Sequence, residues 1–170
     1  MPHLVVCPLS RLAKTASEHD VRDIITLLSP DMQAERPAGV PEDRHLRLSL
    51  HDINANICGM ERPAVDHVSG MIDFAKSWTQ EKPLLIHCWM GISRSTAAAY
   101  ICALSLNPDL DEMELALELR RRSPSATPNA RLIALADEIL GRKDRMNAAI
   151  KRIGRGRDAR EGAPFVLPIK

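Results

Sequence analysis

At 170 residues the chain suits one compact domain, with a core large enough to bury most of its unfolded surface. Its 45% hydrophobic and 26% charged content is that of a globular protein, and no apolar run nears the ~20 residues of a membrane span. The net charge of +1 hides an asymmetry: residues 1–141 carry fourteen Lys/Arg against nineteen Asp/Glu, whereas residues 142–170 carry nine against three.

The N-terminus lacks the basic and apolar regions of a secretory signal, so a soluble, cytoplasmic protein is expected, with no membrane partner. The basic end reads as a solvated helix and arm, able to pair with the acidic body. Its shortage of aromatic side chains weighs against nucleic acid.

In chain order, Leu4-Val5-Val6-Cys7 is a short apolar strand stopped by Pro8. A brief helix is expected near 11–19, and Val21 to Leu28 reads as a second strand ended by Ser29-Pro30. Residues 31–43, holding Pro37, Gly39 and Pro41, form a loop. His45 to Leu50 alternates apolar and polar residues, as a strand with one buried side does.

From Pro63, the residues Val68, Met71, Ile72, Ala75 and Trp78 share one helical face. Lys82-Pro83 breaks that helix before the strand Leu84 to His87, and an apolar helix covers about Ser93 to Leu106. Asp109 with Glu112 resembles a capping pair for a helix to about Arg122. Thr127-Pro128 opens another helix that stops at Gly141. A basic helix is expected over Lys143 to Ile153, followed by an extended basic arm at 154–170. Such alternation predicts a single α/β domain over 1–153, three-layered, with a mostly parallel central sheet of about four to five strands flanked by helices.

The chemistry concentrates in His87-Cys88-Trp89-Met90-Gly91-Ile92-Ser93-Arg94-Ser95, between the fourth expected strand and the helix after it. An ordinary thiol, with pKa near ~8.5, is mostly protonated at neutral pH and a poor nucleophile. A tight loop whose backbone N–H groups from Trp89, Met90, Gly91, Ile92, Ser93 and Arg94 point inward makes a nest for anions. The helix that begins there adds the positive end of its dipole. Both favour a thiolate at Cys88 and a phosphate seated among the same donors. Gly91 supplies the residue able to take positive φ. Arg94 presents a planar fork matched to two phosphate oxygens, and it would stabilise the charge that grows on them in the transition state. Ser95 is placed to donate its hydroxyl to the sulfur. His87 points away from Cys88 in a strand and so supports the loop backbone rather than moving protons.

This stretch matches the His-Cys-x-x-Gly-x-x-Arg-Ser/Thr pattern of the cysteine-dependent protein phosphatases, and the chain resembles their dual-specificity branch and its bacterial tyrosine phosphatase relatives over residues 20–140. The resemblance implies their fold, Cys88 as nucleophile and Arg94 as phosphate ligand, with no cofactor or metal. One departure is bulky: Trp89-Met90 stands where the family often has smaller residues. The resemblance also implies an aspartate acid on a loop after the strand preceding the nucleophile's strand. Asp52, directly after Leu46 to Leu50, fits that place; Asp31, Glu61 and Asp66 are its rivals, and an Asx turn with Asn54 is its bland alternative. His51 would tune Asp52 or face solvent. Pro128-Asn129 matches a pair in which the asparagine braces the phosphate loop, although an ordinary helix start explains it nearly as well.

The four cysteines lack the spacing of a zinc site, so free thiols are expected, one reactive and three structural. Cys58 reads as a small buried residue or as a redox partner for Cys88; Cys7 and Cys102 read as buried. The loop holds no lysine of the kind that inositol-lipid relatives use. The first 70 residues contain no Phe, Trp or Tyr, where tyrosine-specific relatives carry an aromatic segment that deepens the pocket. The expected substrate is therefore a phosphorylated protein or peptide, with phosphotyrosine foremost and phosphoserine or phosphothreonine admitted by a shallow pocket. The competing readings are a rhodanese-like sulfurtransferase or arsenate reductase, and an inactive relative that only binds phosphorylated partners. Oligomeric state is not legible.

Overall fold

The computed structural model describes residues 2–169, and its middle layer is a five-stranded sheet of order β3-β2-β4-β1-β5. Strands β1 (His3–Pro8), β2 (Asp23–Leu28), β3 (His45–Ser49) and β4 (Leu84–Cys88) are mutually parallel, while β5 (Phe165–Pro168) runs antiparallel to β1. One face carries α1 (Leu12–Glu18). The other carries α2 (Val65–Ser77), α3 (Arg94–Leu106), α4 (Glu112–Arg122), α5 (Ala130–Ile139) and α6 (Arg145–Ile153). The alternation of segments thus yields the expected α/β domain.

Strand side chains alternate between faces, so each strand feeds two cores. Leu4, Val6, Ile25, Leu27, Leu84 and Ile86 join the core of α2–α6, whereas Cys7, Ile24, Leu28 and Leu85 join that of α1. Burial on both faces explains why these strands are continuous apolar runs. Helix α3 is buried from Arg94 to Ser105, and its alanines let it lie close against the sheet. Because α3 starts where β4 ends, the β4–α3 loop sits at the carboxyl edge of the sheet.

The helix at 112–122 is capped by Asp111, whose side chain accepts from Glu114 N, and not by the Asp109–Glu112 pair. Glu112 is instead buried, and it takes Arg142 at 2.8 Å and Arg145 at 3.0 Å. Part of the basic end therefore pairs with the acidic body.

Residues 154–164 are extended, but the stretch then returns to the sheet as β5. Val6 pairs with Phe165, Leu4 with Leu167, and both partners enter the core. Burying a side chain of that size stabilises by about 1.5–3 kcal/mol, enough with the ladder bonds to hold four residues at an edge. Among the described residues no helix is long and apolar enough to cross a membrane.

Candidate active site

The loop after β4 is held by its carbonyls. Trp89 O accepts from Leu9 N at 3.0 Å, Met90 O from Gly162 N at 2.8 Å, Ile92 O from Thr127 N at 2.9 Å and Ser93 O from Asn129 N at 3.2 Å. A planar trans peptide sets each C=O antiparallel to the next N–H. Carbonyls tied outward therefore turn the N–H groups of Met90, Gly91, Ser93 and Arg94 toward the centre of the loop. Gly91 N donates to Cys88 Sγ at 3.3 Å, and Ser95 Oγ lies 3.1 Å from the same sulfur. Gly91 has φ +68°, and a Cβ there would stand 2.8 Å from Pro8 N, so both conformation and space require glycine.

Arg94 lies in the first turn of α3 and is only 5% exposed. Its Nη1 donates to Leu50 O at 2.8 Å and to Ser29 Oγ at 3.2 Å. Its Nε is buried without an acceptor. A buried guanidinium donor left open is costly unless something fills it, and an oxyanion in the loop would.

Asp52 follows β3 and comes to the rim of this loop. Its Oδ1 accepts from Ser93 Oγ at 2.7 Å and from Asn129 Nδ2 at 2.8 Å. Both donors use one oxygen, which leaves Oδ2 without a hydrogen bond among the described residues. Asn129 has three tasks at once. Its Oδ1 caps α5 through Leu132 N at 3.0 Å, its amide holds Asp52, and its backbone N–H holds Ser93 O. The bracing and helix-start readings of this residue are thus one arrangement. His51 neither touches Asp52 nor simply faces water: its Nδ1 accepts from Glu61 N at 2.8 Å, and its N–H donates to Glu61 O at 2.6 Å, which closes the loop 51–61. Asn54 Oδ1 accepts from Arg131 N at 3.2 Å rather than turning back on Asp52. Asp66 sits in the first turn of α2.

His87 is fully buried on the α1 side of β4. Its Nε2 lies 2.7 Å from Thr26 Oγ1, which also lies 2.7 Å from His45 Nε2. One hydroxyl hydrogen serves only one ring, so Thr26 donates to one and accepts from the other. His87 Nδ1 faces Cys88 O at 3.4 Å, which assigns the proton to Nδ1 and makes its Nε2 the acceptor. His45 then donates through Nε2–H, and its partnerless Nδ1 is a bare lone pair rather than a stranded donor. Burial holds both imidazoles down to about 4, with the nearby Arg47 pushing the same way. They are neutral at neutral pH.

Trp89 is 54% exposed at the rim, with Met90 beside it less so. Cys7 and Cys102 are buried, and burial pushes both thiols up to about 12, which keeps them inert. Cys58 is exposed, contrary to its reading as a small buried residue, because the 51–61 loop turns outward there. Sequence reasoning missed Ser29 and Leu50 as partners of Arg94, the Ser93 hydroxyl as a partner of Asp52, and the Thr26–His45 relay. None of these residues belongs to a local pattern that could have pointed to it. It also missed that Gly162 reaches the loop.

No protein-family model matches the chain, and no curated protein matches it in sequence. Solved structures do match. DUSP15 is 16% identical with a TM-score of 0.63, over 89% of this chain and 92% of its own. The PTP-2 phosphatase of Cydia pomonella is 19% identical with a TM-score of 0.61, over 78% and 83%. The human tyrosine phosphatase-like serine/threonine/tyrosine-interacting protein is 17% identical with a TM-score of 0.62, over 81% and 91%. The chain therefore has the fold of the dual-specificity and protein tyrosine phosphatases.

Proposed function

We propose that this chain is a phosphoprotein phosphatase that hydrolyses phosphotyrosine, with phosphoserine and phosphothreonine as further substrates, through a cysteinyl-phosphate intermediate. One observation carries the reading: a sulfur flanked by an N–H and a hydroxyl and a buried guanidinium with an open Nε, both on the β4–α3 segment, meet a carboxyl with an open Oδ2 brought by the segment after β3.

In the first step the Cys88 thiolate attacks phosphorus and the bond to the substrate oxygen breaks. That oxygen leaves with the proton from Asp52 Oδ2. The equatorial oxygens, where charge gathers, are bound by the loop N–H groups and by Arg94. In the second step water attacks the cysteinyl phosphate and gives its proton to Asp52. The S–P bond breaks, and phosphate departs. Ser95 Oγ and Gly91 N–H receive the returning negative charge on sulfur. The Ser93 hydroxyl and the Asn129 amide touch neither reactant; they position the carboxyl. The exposed Trp89 ring offers a face for the phenyl group of phosphotyrosine.

Hydrolysis of an aryl phosphate tests this directly. Cys88→Ser is expected to abolish turnover, and Asp52→Asn to lower kcat by ~10²–10⁴-fold, the usual worth of a general acid. Turnover that survives Cys88→Ser overturns the mechanism. Full activity in Asp52→Asn moves the acid elsewhere. A wild type that binds phosphopeptides but releases no phosphate is the inactive binding relative instead.

A further inference from the structure

The segment 154–164 passes along the outer side of the candidate site on a fixed backbone. Arg120 Nη2 donates to Gly154 O at 2.8 Å and to Ala126 O at 2.9 Å, which ties the start of the segment to the turn before α5. Gly156 N donates to Thr127 Oγ1 at 3.1 Å, Arg157 N to Pro124 O at 2.8 Å, and Gly162 N to Met90 O at 2.8 Å. The glycines permit this close approach. A Cβ on Gly156 would lie 2.5 Å from Ser125 C, and one on Gly162 would lie 2.6 Å from Gly91 O.

Between these anchors the segment walls a side pocket of about 270 Å³. Asp52, Ile92 and Ser93 line it together with Arg155, Arg157 and Asp158. The pocket thus shares the carboxylate and the loop edge with the reaction centre, while Cys88 lies outside its lining. Arg155 is paired with Asp158 at 2.6 Å. The Arg157 guanidinium has no hydrogen bond or ion pair among the described residues, and it is exposed. A cation on a tethered backbone, unpaired and lining the same pocket as the Asp52 carboxylate, is poised for an anion that arrives with the substrate.

We propose that this side pocket reads an acidic residue flanking the phosphoresidue of a peptide substrate, with Arg157 as the principal contact and Arg155 as a second that exchanges Asp158 for the substrate carboxylate. The inference rests on the phosphatase reading and deepens it by naming a substrate class. A peptide fits better than a small phosphate ester, because a ligand must span from the sulfur to the far side of Asp52 to touch both sites.

The test compares two phosphotyrosine peptides that differ only in glutamate or glutamine beside the phosphoresidue, with kcat/KM measured at low salt. Each preference is a ratio within one protein, so any loss common to both peptides cancels. The wild type is expected to prefer the glutamate peptide by roughly fivefold, the upper worth of an exposed ion pair. Arg157→Ala should bring the ratio near one and Arg157→Glu should invert it. Raising salt should shrink the wild-type preference. Equal rates on the two peptides in the wild type overturn the proposal, as does an unchanged ratio in Arg157→Glu. Should the wild type hydrolyse neither peptide, the reaction is lost but the comparison still decides, now as Kd for the same peptides. Equal affinity, or no binding, then overturns the role of the arginines as well.

Discussion

The β4–α3 loop and the 51–61 loop meet at one site but are held in opposite ways. The first is fastened through four carbonyls by Leu9, Gly162, Thr127 and Asn129, and its sulfur and guanidinium are buried. The second is exposed over most of its length and is tied where His51 and Glu61 close it and where Asp52 meets Ser93 and Asn129. A site that must hold a charged transition state needs donors that cannot relax, so the floor is rigid. The proposed acid, which would have to admit substrate and release product, stands instead on an exposed segment whose ties to other segments lie at Asp52, Ile53 and Asn54.

Breaking the rigid side should cost most. Gly91→Ala places a Cβ at positive φ, a strain of about 1–2 kcal/mol, and drives it against Pro8. Aryl phosphate hydrolysis should fall by ~10²-fold or more, as misplacement of about 1 Å in a reacting geometry does. The thermal midpoint should fall with it. Activity close to wild type in Gly91→Ala would show that the loop is less constrained than its carbonyl bonds indicate.

Loosening the exposed side should cost less and should separate from stability. In Asn129→Ser the cap of α5 survives, since serine caps about as well as asparagine. The amide that reaches Asp52 does not survive. Activity should drop about tenfold, a fraction of the worth of a general acid, while the unfolding free energy read from urea denaturation stays within a few tenths of a kcal/mol. Equal loss of both would make Asn129 a helix cap and nothing more.

The smallest effect concerns the support beneath the floor. His45 and His87 are held near 4 in the folded chain against an ordinary value near 6.5, so the unfolded chain binds more protons between those limits. Their contribution is complete above pH 6.5 and is lost as pH falls toward about 4. The urea midpoint should therefore be lower at pH 5 than at pH 7, and the slope should be shallower in His87→Gln. An identical slope in that variant would assign the pH dependence to other groups.

The sequence by itself determined the β4–loop–α3 unit, because each of its requirements is local: an apolar strand, a glycine where φ is positive, an alanine-rich helix and the side chains between them. The position of Asp52 after its own strand was legible only through a family likeness, since any of several carboxylates could have served on composition alone. Tertiary structure decided what holds that carboxylate. Ser93 is 41 residues and Asn129 is 77 residues from Asp52, and neither advertises its partner. The tail shows the same limit. The excess of basic residues made 154–170 read as an extended arm, because a four-residue strand buries little until an edge exists to receive it. Only the assembled sheet offers the open side of β1 to Phe165 and Leu167. Once they dock, Gly162 lies against Gly91, and Arg157 lines a pocket together with Asp52.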